Sequence, residues 1–246
     1  MSHLAELDAT LTRKGRILAT RNRYRAYCKA ICQWGLNNDL SANNPFQRFR
    51  PEVSKEGKAP DLITEEELKA VYQSAPPHLQ WTIEVMMNTG VRPGPTELFA
   101  LKMSDVDQTL GGIWVTRHKT HDERALLPLR PEFLEKIQNL KDAEPQRLYL
   151  IEFEGQPIQS LKRSWHSALR RAGITRSLRL YDLRHWYASQ LLSSGADLKA
   201  TSQLLGHASP STTMNTYYHL LENQKRTALG HLTVPDLSDS GAGETP

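Results

Sequence analysis

The chain has 246 residues, 31 Lys and Arg against 27 Asp and Glu for a formal net charge of +4, and 39% hydrophobic residues. That supports one large or two ordinary domains with ordinary cores. No apolar run approaches the roughly 18 residues of a membrane span, the charged start MSHLAELDATLTRKGR lacks the apolar centre of a signal peptide, and two cysteines, Cys28 and Cys32, are too few for a zinc site or disulfide framework.

The first fifty residues predict one long helix, from about Ala19 to Leu36, ended by Gly35-Leu36-Asn37-Asn38 and followed by a turn at Asn43-Asn44-Pro45. Between Thr10 and Asn38 the chain carries Arg13, Lys14, Arg16, Arg21, Arg23, Arg25 and Lys29 and no acidic residue, with Tyr24, Tyr27 and Trp34 interleaved. Such a one-sign segment suits a helix lying along a phosphate backbone, where each neutralised phosphate releases counterions; a solvated helix face is the alternative. The polar stretch RPEVSKEGKAP, residues 50–60, reads as a linker, placed at 53–60. Thr64-Glu65-Glu66-Glu67 forms a capping box that opens a helix with Leu68, Val71 and Tyr72 on one face. A further helix runs from about Leu79 to Thr89 and stops at Gly90.

Ile113 to Thr116 and Ala125 to Leu129 predict a β-hairpin with a charged tip at His118 to Arg124. Helices follow near Glu132–Leu140, Gln159–Ala172, Asp182–Ser194, Leu198–Leu205 and Ser211–Lys225, and the polar ending LTVPDLSDSGAGETP reads as a flexible tail. The fold class is mainly α with a small antiparallel β-sheet.

The stretch from Tyr181 to Leu220 gathers an arginine, histidines and a tyrosine pair. A cation, an imidazole that exchanges protons near neutral pH and a phenol nucleophile are the parts needed to attack a phosphodiester. Arginine suits the phosphate because its planar fork donates to two oxygens at once and stays charged. Arg184 in YDLRH is one such residue and Arg92 in TGVR another. His118 and His121 form an HxxH pair, but in a hairpin this spacing does not put both on one helical face, so no metal site is expected.

The order Arg92, Lys119, Arg184, His207, Tyr217 resembles the boxes of the tyrosine recombinase (phage integrase) family. The carrying segments are TGVR, ELFALKMSDVD from Glu97, HKT around Lys119 before LPL, YDLRH, LLGHASPSTT and TYYH. There are two departures. Pro93-Gly94-Pro95-Thr96 places Glu97 about two positions further from Arg92 than is usual, and Tyr181 stands where HxxR has its histidine. A phenol is a poor proton acceptor at neutral pH, since its reference pKa is about 10, so Tyr181 is expected to orient or donate, leaving His207 as the box histidine for proton transfer. His185 is expected to be structural, on a different helix face.

The resemblance implies catalytic roles for Arg92, Lys119, Tyr181, Arg184, His207 and Tyr217. Tyr217 would be the nucleophile, with Tyr218 its competitor, and Lys119 the general acid for the leaving 5′ oxygen, with Arg117 and Arg124 competing. It implies a partial helical core-binding domain at 1–52 and a catalytic domain at 61–225, with a tail at 226–246 that is flexible or docks on a neighbouring protomer. The implied reaction cleaves and rejoins DNA through a 3′-phosphotyrosyl link without metal, ATP or other cofactor. Implied partners are double-stranded DNA, a homotetramer on paired sites, and accessory DNA-bending or directionality proteins, in a cytoplasmic, nucleoid-associated setting. Type IB topoisomerase-like nicking and a non-catalytic DNA-binding relative are the alternatives.

Overall fold

The computed structural model describes residues 3–52, 62–117 and 123–217. The chain divides into two compact units, Met1–Lys58 and Ala59–Pro246. The linker expected at 53–60, the hairpin tip with His118, Lys119 and His121, and everything from Tyr218 onward, the expected tail included, lie outside the described residues.

In the first unit, α1 (His3–Arg13) packs on α2 (Leu18–Asn37). The single helix expected there is corrected to a pair, because a left-handed Gly15 (φ 64) between them lets the chain turn. Leu11, Phe46 and Phe49 supply the small apolar centre. Asn44 ties the following turn to α2, donating to the Lys29 carbonyl at 3.1 Å and accepting from the Phe46 amide at 2.9 Å.

The second unit opens with α3 (Glu65–Gln73), whose capping box is formed as expected: the Glu67 amide donates to Thr64 Oγ1 (3.2 Å) and the Thr64 amide to Glu67 Oε2 (2.9 Å). The next helix, α4 (Pro77–Thr89), starts on a proline, which lacks the amide a first-turn residue cannot use, and ends at a left-handed Gly90 (φ 61). A three-stranded antiparallel sheet follows, β1 (Val106–Asp107), β2 (Gly112–Arg117) and β3 (Glu123–Pro128), in sequential order with Val115 opposite Ala125. After α5 (Pro131–Ala143) comes a small hairpin, β4 (Glu152–Phe153) with β5 (Gln156–Pro157), then α6 (Lys162–Arg171), α7 (Asp182–Ser193) and α8 (Leu198–Leu205). A last helix occupies residues 210–217 of the described chain.

Leu79, Ile83 and Met86 on α4 face a core completed by Ile113 and Leu127 of the sheet, Ile137 of α5, Trp165 of α6 and Leu183 of α7. Trp165 satisfies its indole through the Leu178 carbonyl at 2.9 Å. A second, smaller cluster of Ala188, Leu192, Leu205 and Tyr217 sits where α7, α8 and the last helix meet. The packing of α4 on α7 matters most for function, because it brings the end of one helix to the first turn of the other.

Candidate active site

Arg184 lies in the first turn of α7 and is only 3% exposed. Its Nη1 donates to the Gly90 carbonyl at 2.7 Å and its Nη2 to the Leu205 carbonyl at 2.6 Å. Those oxygens close α4 and α8, both capped by left-handed glycines, Gly90 (φ 61) and Gly206 (φ 69). Two helix C-termini, each carrying about half a negative charge, therefore converge on one guanidinium. Burial still lowers the pKa of Arg184, and the neighbouring charge of Arg92 acts in the same direction. The arrangement holds a cation in a dry site without a carboxylate cancelling it at contact.

Gly90 is required by space as well as by φ, whereas Gly206 is required by φ, and a side chain there would displace the flexible end of Arg117. A Cβ on Gly90 would lie 2.3 Å from Cδ1 of Tyr187, and one on Gly206 2.4 Å from Nε of Arg117.

Arg92 lies two residues after Gly90 and pairs with Glu97, Nη1 to Oε1 at 2.8 Å. The longer Pro93–Thr96 loop does not expel the glutamate. The Leu98 amide returns to the Arg92 carbonyl (3.3 Å) and the Phe99 amide to the Gly94 carbonyl (3.0 Å), so the extra residues are taken up in a turn.

His207 leaves the αL turn at Gly206 with its Nδ1 2.7 Å from Thr213 Oγ1. Its pKa is held down to about 4, by burial first and then by the charges of Arg184, Arg92, His185 and Arg117. In the DNA-free chain the ring is thus neutral at pH 7, and in the tautomer whose Nδ1 accepts from Thr213 the Nε2 hydrogen is free to donate. The sequence expectation of a proton-transfer histidine is narrowed accordingly, because these cations disfavour imidazolium until an anion enters.

Tyr217 is 2% exposed, packed in the small cluster with its Oη 2.7 Å from Nδ1 of His185. Burial raises its pKa well above the ordinary phenol value. Tyr181 precedes α7 and meets the His185 ring edge-on, centroids 5.2 Å apart. His185, expected to be structural on a different helix face from Arg184, is hydrogen-bonded to the candidate nucleophile. The available signal was its position four residues after Tyr181, one turn along the same helix face.

Lys119 falls outside the described residues. Of its two competitors, Arg117 donates to the carbonyls of Gln203 (2.9 Å) and Leu204 (3.3 Å), tying β2 to the end of α8. Arg124 instead bonds Asp105 at 2.9 Å and lies over the Trp114 ring. Both have structural partners.

The basic stretch of the first unit divides. Arg25, 5% exposed, is paired with Asp8 and with Glu52, and stacks 5.7 Å from the Phe49 ring centroid. Arg21 bonds Asp8 and Thr12, and Lys29 the Phe49 carbonyl. Internal partners thus engage all three of these residues, and most fully Arg25, which two carboxylates neutralise. Arg13, Lys14, Arg16 and Arg23 are exposed and stay candidates.

The structure thus brings Arg92, Glu97, Arg184, His185, His207 and Tyr217 into one electrostatic neighbourhood, with Tyr181 at its edge. Two arginines, a neutral histidine and a phenol on separate segments are the parts that a phosphoryl-transfer site with a tyrosine acceptor requires. Among the described residues no group of three or more His, Cys, Asp or Glu could hold a metal ion, and no helix is long and apolar enough to cross a membrane.

Residues 61–224 match the model of the phage integrase family, and the chain belongs to that family. It is 30% identical over 222 residues to tyrosine recombinase XerC of Staphylococcus epidermidis, covering 84% of this chain and 73% of that protein. It is 27% identical over 223 residues to tyrosine recombinase XerD of Staphylococcus saprophyticus, covering 83% and 72%. In fold it resembles a lambda integrase (75–356) dimer bound to a COC′ core site, with TM-score 0.70 and 20% identity, covering 85% of this chain and 79% of that one. The Tn1549 transposon integrase with transposon right end DNA gives TM-score 0.71 at 20% identity, covering 92% and 85%.

Proposed function

We propose that this chain is a site-specific DNA recombinase that breaks and rejoins strands through a 3′-phosphotyrosyl link on Tyr217. The observation that carries this is Arg184: a buried cation held by two helix ends rather than by a carboxylate, with Arg92, His207 and Tyr217 around it. A scissile phosphate supplies the anion for Arg184, whose hydrogen-bond partners are main-chain carbonyls. Arg184 and Arg92 donate to its non-bridging oxygens, and His207 donates through Nε2. Charge that builds on the phosphorane in the transition state meets donors already in place. Tyr217 Oη attacks phosphorus and the 5′ oxygen leaves with a proton from Lys119. The freed 5′ hydroxyl of a partner strand then reverses the step.

Each exchange swaps one phosphodiester for another, so nucleotide hydrolysis is not called on. Arg13, Lys14, Arg16 and Arg23 extend the grip along the backbone from the first unit, read as a core-binding domain spanning 1–52, with 61–225 as the catalytic domain. The working species on paired sites is a homotetramer, a reading supported by the lambda integrase tetramer bound to a Holliday junction among the fold relatives. Accessory DNA-bending or directionality proteins and a nucleoid-associated location complete the proposal. A topoisomerase-like reading fits the family match less well, and a purely DNA-binding one does not account for an intact Arg92–Glu97 pair beside Arg184.

The test begins by footprinting the protein on the genomic DNA flanking its gene to find the bound site. A nicked suicide duplex of that site should trap the wild-type chain as a covalent adduct and leave Tyr217→Phe free. Adduct with Tyr217→Phe that is lost in Tyr218→Phe overturns the nucleophile assignment.

A further inference from the structure

The hydrogen bond between His185 and Tyr217 has no part in the reaction as described above, and it lies at the atom where that reaction starts. His185 Nδ1 is 2.7 Å from Tyr217 Oη, and the two rings meet at 60° with centroids 5.9 Å apart. Tyr181, in the position where HxxR has its histidine, is one helical turn before His185 and its ring touches the same imidazole edge-on. His207 is engaged elsewhere, its Nδ1 bonded to Thr213. The two histidines therefore serve different partners, one facing the phosphate donors and one the phenol.

We propose that His185 is the general base of this enzyme, taking the proton of Tyr217, so that the proton-accepting task has moved one helical turn along α7 from position 181 to position 185. The inference rests on the recombinase reading above.

The chemistry balances. As Oη forms its bond to phosphorus, its proton passes to Nδ1 and His185 becomes imidazolium. The bond from phosphorus to O5′ breaks, and O5′ leaves with the proton of the general acid, Lys119. In rejoining, a 5′ hydroxyl attacks phosphorus and its proton returns to the general acid. The phosphotyrosyl bond breaks and His185 returns its proton to Oη. No proton is gained or lost over the cycle.

The surroundings suit the task. The groups facing His185 are Tyr181, Asp182, Arg179 and Arg184 from α7 and its approach, Tyr217 from the last helix, and His207 from the turn after α8. Burial keeps the imidazole below its ordinary pKa; Asp182 opposes this, and Arg179 and Arg184 add to it. The ring is thus neutral and able to accept at pH 7. Tyr217 needs such an acceptor more than an exposed tyrosine would, because burial holds its proton on. Asp182, which accepts from the Arg179 amide at 2.7 Å, favours the imidazolium once it forms.

The experiment is single-turnover adduct formation on the suicide duplex, from about pH 5 to about pH 9, with His185→Gln, His185→Ala, and His185→Ala combined with Tyr181→His. Glutamine can accept the hydrogen bond but cannot hold the proton. The wild-type rate is expected to rise from acid pH and level off. His185→Gln should be slower by about 10²- to 10⁴-fold and keep rising with pH, as attack comes to depend on direct ionisation of the phenol. Adding Tyr181→His to His185→Ala should recover roughly tenfold or more, by returning a base to the previous turn. DNA affinity and melting temperature of each variant, unchanged from wild type, separate a chemical loss from misfolding.

A His185→Gln rate within about threefold of wild type overturns the proposal. So does a uniform loss with the wild-type pH profile and no recovery from Tyr181→His. If wild type forms no adduct, or Tyr217→Phe still does, the recombinase reading fails first and this inference with it.

Discussion

Arg25 and Arg184 are both buried guanidiniums, and their partners set them apart. Arg25, in the first unit, is neutralised by the carboxylates of Asp8 and Glu52 and stacked on Phe49. Arg184, in the second, meets two main-chain carbonyls at helix ends. A carboxylate cancels a unit charge at contact, whereas helix ends offer partial charge spread over several groups. Burial alone therefore does not separate a structural arginine from a functional one. Their partners differ: carboxylates close off the buried cation of the first unit, whereas that of the second meets main-chain carbonyls, which in the proposed reaction leaves its charge for an incoming anion.

The comparison is tested most severely by exchanging each side chain. Arg184→Lys, which loses the fork but keeps the charge, should slow adduct formation by about 10²- to 10³-fold. Arg25→Met should leave the rate per bound complex within about threefold and instead lower the stability of the first unit by roughly 2 kcal/mol, the typical worth of charge-assisted hydrogen bonds. Equal effects on chemistry from both variants would erase the distinction.

The cations around His207 should also show as acid sensitivity. His207 is held down to about 4, below the ordinary value of 6.5 that the unfolded chain would have. Between those values the unfolded state binds more protons, so the stability from keeping this ring neutral is complete above about pH 6.5 and is lost as pH falls toward 4. Melting curves of the DNA-free protein across that range should fall, and His207→Asn should fall less. An identical slope in both would show that the cluster does not repel a proton.

The smallest effect concerns the exposed cations. If Arg23 contacts a phosphate, Arg23→Ala should reduce the slope of log affinity against log salt by about 0.9, and Arg25→Met should leave the slope unchanged. The opposite result would mean that Arg25 gives up its carboxylates when DNA binds.

Local signals made much of the second unit legible. The Thr64 box and the glycine ends at 90 and 206 each act within a few residues, and the helices they bound were readable, though α4 starts two residues earlier than expected, at Pro77. The helix α1 escaped because its packing partner lies across a turn, and the strands β4 and β5 because two residues each carry no periodicity. The basic run of the first unit misled for a related reason. Asp8 lies before the run and Glu52 well after it, so the pairing with Arg25 exists only in three dimensions. At the site, the order of Arg92, Arg184, His207 and Tyr217 was readable. The role of His185 was hidden because it depends on which side of α7 the last helix packs against.

The two glycines that cap α4 and α8 bear on how far this chain can be remodelled. Gly90 and Gly206 flank the same guanidinium, both hold a left-handed φ that side chains rarely adopt, and a Cβ at Gly90 would also collide with the Tyr187 ring. In a library randomised across both helix ends and selected for new target DNA, diversity should return everywhere except at 90 and 206. Evolvability would then be concentrated in the loops and surface cations that meet DNA, around a hub that tolerates no variation.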